Sequence, residues 1–299
     1  NHLAERGVEV TRLRCDPETG LVSPEDVRRA LRPNTRLIAT LHGSNVTGTL
    51  QPLAELGSIA RERGVLFLVD GAQSVGHVPV DVDAMNIDLL AFPGHKGLLG
   101  PLGTGALWIR PGVEHQLVPH RQGGTGSVSE RDVQPDFMPD RFEPGSHNAL
   151  GLVGLLAGVE WVLSRGVAEI WAHEQRLVER MLRRLRSIDG LTLFGPKTVE
   201  HRCGVFSVRV GQHGTVELAN LLEERFGVLT RPGLHCAPLA HQTIGSAPYG
   251  GTTRMSFGPF VQEEDVDYAA DALETLAKEA LAKDSSAARG APWPATVAG

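Results

Sequence analysis

Two stretches decide the fold: residues 65–73, VLFLVDGAQ, and residues 89–96, LLAFPGHK. Each begins with consecutive apolar residues and ends in glycine and polar residues. Unbroken apolar runs predict strands buried on both faces, as in parallel sheets covered by helices. Asp70 ends the first run and Lys96 follows the second. Because parallel strands place their carboxyl ends at one sheet edge, where α/β proteins bind ligands, we expect both side chains there.

The surrounding pattern extends this sheet. Strands are predicted at 8–14, 36–41 and 106–109, the second of them buried, with helices over 24–31 and 52–63. Short strands that alternate with helices predict an α/β domain with a mostly parallel sheet, covered on both faces.

The second half of the chain predicts a smaller α+β domain. Residues 121–148 are rich in Gly, Pro, Ser and Asp and lack periodicity, which is typical of a functional loop. The elements predicted after it are helices 149–164, 167–187, 215–226 and 262–282 and strands 191–194, 204–210, 230–233 and 253–257. We therefore predict a large domain over 1–150, a small domain over 151–283 and a disordered tail over 284–299.

Composition narrows the class of protein. The 299 residues carry a net charge of −6, without long basic runs, which argues against nucleic acid or an anionic membrane as the main partner. Three cysteines are too few for a disulfide framework, so we expect a soluble cytoplasmic protein with free thiols. Residues 1–7 resemble the last turns of a helix, so we expect the chain to be part of a longer protein.

Lys96 and Asp70 together suggest a cofactor. Only four lysines occur, and Lys96 alone follows a buried strand in a glycine-rich loop. A lysine that can form a Schiff base and an aspartate for a pyridinium nitrogen are what pyridoxal phosphate (PLP) requires, and Gln73 lies three residues after Asp70. The alternatives are a solvated loop lysine and an aspartate that only forms a turn.

Cys236 and Arg254 are the other candidates. Cys236 lies in the loop 231–238, RPGLHCAP, where cationic neighbours favour a thiolate. Cys15 and Cys203 lie on strand patterns and are expected to be inert. Arg254 interrupts an apolar strand, so its guanidinium needs an anionic partner, either a ligand carboxylate or an internal acid.

Six motifs, in order along the chain, carry a resemblance to a known family. They are 42–48 (HGSNVTG), 69–74 (VDGAQS), 94–96 (GHK), 141–146 (RFEPGS), 231–239 (RPGLHCAPL) and 254–257 (RMSF). They resemble the group II cysteine desulfurases and selenocysteine lyases of the class V aminotransferase superfamily. The resemblance implies an aspartate aminotransferase-like fold and PLP as the cofactor.

The resemblance also implies roles for the cofactor-binding residues. Lys96 would hold PLP covalently and move protons, and Asp70 would pair with the ring nitrogen. Gln73 would contact the phenolic oxygen and His95 the phosphate. Ser146 stands where the family usually has a threonine that reaches the phosphate of a neighbouring subunit, which implies a homodimer.

For the substrate, the resemblance implies that Asn45 and Arg254 bind the carboxylate of L-cysteine. Arg231 would line the pocket near Cys236, the nucleophile. The products would be L-alanine and a persulfide on Cys236, which passes to a sulfur-acceptor protein or a small thiol. The sequence leaves open whether that sulfur serves iron–sulfur cluster assembly, thio-cofactors or another product.

Two departures from the family pattern keep alternatives open. The family has an N-terminal part before Asn1, with a phosphate-binding loop and a histidine that stacks on the cofactor. Pro93 replaces a serine or threonine that donates to the phosphate, and proline has neither hydroxyl nor N–H. The alternatives are a selenocysteine lyase, another class V carbon–sulfur lyase or aminotransferase, and a non-catalytic remnant.

Overall fold

The computed structural model describes residues 2–128 and 130–289. In chain order, the helices are α1 (Pro24–Ala30), α2 (Leu53–Glu62), α3 (Ala149–Arg165), α4 (Val167–Leu185), α5 (Thr215–Phe226), α6 (Pro238–Thr243) and α7 (Glu263–Arg289). The strands are β1 (Leu37–Leu41), β2 (Leu66–Asp70), β3 (Leu89–Pro93), β4 (Gly105–Ile109), β5 (Leu191–Phe194), β6 (Val205–Val210), β7 (Arg231–Gly233) and β8 (Thr252–Ser256). Among the described residues, no single helix is long and apolar enough to cross a membrane; only α3 and α4 taken together reach that length and hydropathy.

The chain divides into two compact units. The first, called the lysine unit here, comprises Arg32–His42 and Leu53–Ala168. The second, the cysteine unit, comprises Asn1–Leu31, Gly43–Pro52 and Glu169–Gly299.

This division differs from the predicted boundary at residue 150. The reason is that early segments hydrogen-bond within the cysteine unit: the Leu50 N–H donates to the His201 carbonyl at 2.8 Å. The Thr49 hydroxyl likewise donates to the Thr19 carbonyl at 2.6 Å. Such long-range pairing leaves no local signal in the sequence.

The lysine unit is built on the predicted sheet. Its strand order is β1-β2-β3-β4, with parallel pairing from β1 to β3 and an antiparallel β4. Phe67 and Val69 of β2 are fully buried, as the apolar run predicts. The prediction of a buried strand at 36–41 is wrong, because Leu37 of β1 is 46% exposed and Leu41 is 36% exposed. Position at the sheet edge leaves one side of β1 uncovered among the described residues.

A close backbone contact joins the loops that follow β2 and β3. Gly76 has φ +100°, and a Cβ on it would lie 2.4 Å from the carbonyl carbon and oxygen of Gly97. Only glycine accommodates both this backbone conformation and this approach. The loop that carries Gln73 is therefore held against the loop that carries Lys96.

The cysteine unit is an antiparallel sheet packed on helices. The strand order is β5-β6-β8-β7, and all pairings are antiparallel. The core between this sheet and helices α4, α5 and α7 includes Met181, Phe206, Leu222 and Leu273, all fully buried. This architecture matches the predicted α+β domain, with the early segments added.

Two predicted end segments differ from the structure. Residues 8–14 alternate like a strand but form none, because no described strand pairs with them. Residues 2–6 form a 3-10 helix rather than the end of an α-helix. In the predicted disordered tail, residues 284–289 continue α7, and residues 290–299 lie outside the described residues.

The contact between Gly76 and Gly97 predicts a stability difference between two glycine substitutions. Gly76→Ala is expected to lower the free energy of unfolding by about 2–4 kcal/mol, because its Cβ meets backbone and its φ is positive. Gly64→Ala is the matched control: Gly64 also has positive φ, +62°, but its Cβ would meet nothing within 4 Å. This control is expected to cost about 1 kcal/mol. Urea denaturation measures both, and equal losses would contradict the steric argument.

Candidate active site

The site residues of the lysine unit gather at the carboxyl end of its parallel strands. Asp70 is the last residue of β2 and lies opposite Ala91 of β3 in the register. Its exposed carboxylate accepts one hydrogen bond, from the Ala72 N–H at 2.8 Å, so the turn-forming alternative is also true. Lys96 follows β3 by three residues, and its exposed ammonium has no hydrogen bond or ion pair among the described residues. Asp70 and Lys96 thus both follow the carboxyl ends of neighbouring parallel strands, at one edge of the sheet.

The other predicted cofactor residues lie in the same unit. Gln73 is half-buried in the loop after β2, and His95 is exposed next to Lys96. Ser146 is exposed in an irregular segment, and no described contact links it to the others. Pro93 ends β3 and pairs with Gly105, so it offers the sheet edge no hydroxyl.

His42, to which the sequence analysis assigned no role, also lies at this edge. Its backbone N–H donates to the Asp70 carbonyl at 2.8 Å. The imidazole is buried, and its Nδ1 has no hydrogen-bond partner within the described residues. Burial, with a smaller contribution from His77, lowers the pKa of His42 to about 4. The buried imidazole of His42 is therefore neutral at neutral pH.

The donor set of this edge fits PLP. An unpaired lysine amine and an aspartate carboxylate free of ion pairs are the two groups that the aldehyde and the ring nitrogen need. Gln73 and His95 add an amide and an imidazole. The exception is position 93, where proline offers no side-chain donor to the phosphate of PLP.

The cysteine unit carries the second set of site residues. Cys236 is exposed and lies between β7 and α6 in a tight turn. Its Sγ lies 3.4 Å from Nη2 of Arg231, the first residue of β7. The Arg231 guanidinium therefore donates to the sulfur of an exposed thiol.

Arg254 lies beside this turn, on β8. It pairs with Arg231 in the register, and its Nη1 donates to the Asn45 carbonyl at 3.0 Å. Its Nε is buried without a partner, and no described acid pairs with the guanidinium, so the internal-acid alternative fails. Burial, followed by the charge of Arg231, lowers the pKa of Arg254. A half-buried cation without a counter-ion is suited to bind a carboxylate.

Asn45, predicted to bind the substrate carboxylate, also contacts the loop that carries Cys236. Its Nδ2 donates to the carbonyl of His235 at 2.6 Å, so one of its two amide hydrogens already holds the Cys236 turn. His235 itself is 2% exposed, and its pKa is lowered to about 4 by burial, then by Arg254, His241 and Arg231. Sequence reasoning included His235 in a motif without giving it a role.

The remaining cysteines differ from Cys236. Cys203 is fully buried, and burial raises the pKa of its thiol to about 12. Cys15 is half-buried in an irregular segment, not on a strand, and burial likewise raises the pKa of its thiol. All three cysteines are free, and Cys236 alone is exposed.

The neutral His42 predicts a pH dependence of stability. Its folded-state pKa, about 4, lies below the usual 6.5, so the unfolded state binds more protons between these values. Stability from this group is present above pH 6.5 and is lost as the pH falls towards 4, by about 2–3 kcal/mol. In His42→Gln, the free energy of unfolding from urea titrations should fall less between pH 6.5 and 4 than in the wild type. Equal losses in the two proteins over this range, with pH 7–8 as the baseline, would refute the assignment.

The sequence of this chain is similar to those of known proteins. Residues 1–269 match the family model of the class V aminotransferases. A probable cysteine desulfurase of Methanothermobacter thermautotrophicus is 37% identical over 278 residues, covering 92% of this chain and 68% of the relative. A cysteine desulfurase of Escherichia coli O157:H7 is 36% identical over 279 residues, with coverage of 91% and 66%.

A solved structure extends the comparison to the fold. The apo structure of a cysteine desulfurase from Thermococcus onnurineus NA1 superimposes with a TM-score of 0.84 at 32% identity, covering 93% of this chain and 68% of that one. The predicted fold class is confirmed. The chain spans about two thirds of the length of the relatives it matches. On the family match and these relatives, the chain belongs to the class V aminotransferases, in the PLP-dependent cysteine desulfurase family.

Proposed function

We propose that the protein is a cysteine desulfurase that converts L-cysteine to L-alanine and leaves the sulfur as a persulfide on Cys236. The observation that carries the proposal is the exposed Cys236 thiol, 3.4 Å from the Arg231 guanidinium, in one unit with the uncompensated Arg254. The nucleophile and the carboxylate anchor of such an enzyme are therefore both available. The relatives named cysteine desulfurase support the same activity.

The residues at the sheet edge of the lysine unit would hold the cofactor. Lys96 would bind PLP through its amine, Asp70 would keep the ring nitrogen protonated, and Gln73 and His95 would contact the phenolic oxygen and phosphate. When bound, PLP supplies an electron sink for the bonds broken at the substrate Cα and Cβ. Lys96, exposed and unpaired, is the proton carrier at that position.

On the substrate side, Arg254 would bind the carboxylate of cysteine. Its Nη1 is committed to the Asn45 carbonyl, while Nε and Nη2 remain for a bidentate pair. Asn45 would contribute its remaining amide hydrogen. Because burial removes Arg254 from water, the contact is stronger than a surface ion pair.

The Cys236 thiolate would perform the sulfur transfer. It attacks the sulfur of the substrate, so a sulfur–sulfur bond forms while the substrate's carbon–sulfur bond breaks, and that electron pair stays with carbon. Carbon is reduced and takes a proton, and the sulfur is oxidised to the persulfide level, so no external oxidant is needed. A second thiol, on an acceptor protein or a small molecule, would then remove the terminal sulfur.

We also propose three properties of the whole protein. Ser146 would reach the phosphate of a neighbouring subunit, which makes the enzyme a homodimer. The free thiols are compatible with a reducing, cytoplasmic location. Iron–sulfur cluster assembly is one process that would use the released sulfur.

One test of the proposed function concerns the nucleophile. Cys236→Ser is expected to reduce alanine formation from L-cysteine at least 100-fold, because serine is a far weaker nucleophile towards sulfur. Absorbance of the bound cofactor should persist. Cys15→Ser, which changes a half-buried thiol, serves as the matched control and is expected to retain at least half of the turnover. Full turnover in Cys236→Ser would refute the assignment of the nucleophile. Comparing turnover of selenocysteine with that of cysteine in the wild type distinguishes a selenocysteine lyase from a cysteine desulfurase.

Another test of the proposed function concerns the lysine. After the wild type is incubated with PLP and reduced with borohydride, mass spectrometry should find the cofactor attached to Lys96. The Lys96→Ala variant should carry no cofactor after the same treatment. Lys197→Ala is the control, because Lys197 is also exposed and lies in a turn. Labelling that depends on Lys197, or that survives in Lys96→Ala at the wild-type level, would contradict the role of Lys96.

A further inference from the structure

A buried chain of hydrogen bonds connects the sheet of the cysteine unit to His235. The Ser207 hydroxyl donates to the Val46 carbonyl at 2.6 Å, and the Thr252 hydroxyl donates to Ser207 Oγ at 2.9 Å. The Nε2 of His235 lies 2.9 Å from Thr252 Oγ1. The three side chains are 0%, 0% and 2% exposed in the order Ser207, Thr252 and His235. The three hydrogen-bonded side chains are therefore almost completely shielded from water.

The donors of this chain fix the state of the imidazole. A carbonyl only accepts, so the Ser207 hydrogen is committed to Val46 and the Thr252 hydrogen to Ser207. Thr252 Oγ1 must therefore accept from His235, which places the proton on Nε2. Nδ1 of His235 is left as a buried acceptor without a partner among the described residues. The imidazole acts as a neutral donor that ties its loop to β8.

The backbone of this loop is strained. His235 has φ +50° and Cys236 has φ +64°, two consecutive residues other than glycine in the left-handed region. A residue with a Cβ holds this conformation only where its surroundings enforce it. The turn is closed by the Ala237 N–H, which donates to the Leu234 carbonyl at 2.9 Å. His235 restrains it further, because its side chain is held by Thr252 and its carbonyl by Asn45.

The strained turn sets the distance between Cys236 and Arg231. Arg231 is fixed by β7, which pairs with β8. Cys236 is reached from β7 only through the turn, so the 3.4 Å contact between Sγ and Nη2 depends on the conformation at residues 235 and 236.

We propose that His235 is a positioning residue for Cys236: its buried bond to Thr252 maintains the turn that holds the thiol beside Arg231. The importance of this contact for sulfur transfer rests on the proposed function. The positioning itself is a property of the folded chain with or without cofactor.

The test compares two neighbouring threonines of β8. Thr252→Val removes the acceptor for His235, whereas Thr253→Val removes an equally buried hydroxyl that donates to the Thr215 carbonyl at 2.9 Å. Alkylation of Cys236 by iodoacetamide at pH 7.5 is followed by mass spectrometry. We expect Thr252→Val to slow alkylation at least fivefold, and Thr253→Val to stay within twofold. Both should lower the melting temperature by a few degrees, since Thr252→Val loses two buried hydrogen bonds and Thr253→Val loses one.

A second pair of variants guards against misfolding at position 252. His235→Gln keeps an N–H near the position of Nε2 and should alkylate within threefold of the wild type. His235→Leu loses the donor and should be slowed like Thr252→Val. Equal rates for the two threonine variants, or wild-type rates in His235→Leu, would overturn the proposal. If the wild type releases no alanine from cysteine while this alkylation pattern holds, the proposed function fails and the positioning role stands.

Discussion

The parallel pairing of β2 with β3 is the constraint on which the lysine unit depends. Phe67 and Val69 are buried completely, so β2 cannot shift by one residue without turning them towards the opposite face. With that register fixed, Asp70 lies opposite Ala91, and the chain leaves β3 only three residues before Lys96. The backbone contact at Gly76 and Gly97 then holds the two loops together. Hydrophobic burial thus fixes the strand register that brings Asp70 and the loop of Lys96 to one edge of the sheet.

The cysteine unit uses a different physical device. Its catalytic candidate is exposed and on a turn, so apolar packing cannot hold it. The turn is instead held from below by buried polar side chains, each of which satisfies the next: Ser207, Thr252 and His235. Buried hydrogen-bonded networks are costly to leave incomplete, and this cost is what makes them restrictive. Rigidity beneath the loop allows the thiol above it to stay accessible.

The charged side chains of the candidate site differ from charged side chains of the helices in whether an opposite charge lies beside them. Arg254 is half-buried without an acid beside it, and Lys96 and Asp70 are not paired with other side chains in the described part of the chain. By contrast, two arginines of α4 are paired with acids of α7: Arg180 contacts Asp267 and Glu263, and Arg184 contacts Asp267 and Asp271. The charges of Arg180 and Arg184 are thus compensated within the fold, whereas under the proposed function the uncompensated groups would bind the cofactor and the substrate.

The sequence by itself determined the α/β class, most of the element boundaries, and the candidates Lys96, Asp70, Cys236 and Arg254. Apolar runs and polar residues at their ends are local properties that any reader of the chain can see. The sequence wrongly predicted a strand over residues 8–14 and a buried β1, because strand pairing and burial depend on partners elsewhere in the chain. Only the tertiary structure decided that Gly43–Pro52 belongs to the cysteine unit and that Ser207 and Thr252 are hydrogen-bonded in series to His235. These contacts join residues far apart in sequence, and no spacing rule links a buried hydroxyl to the imidazole it will meet.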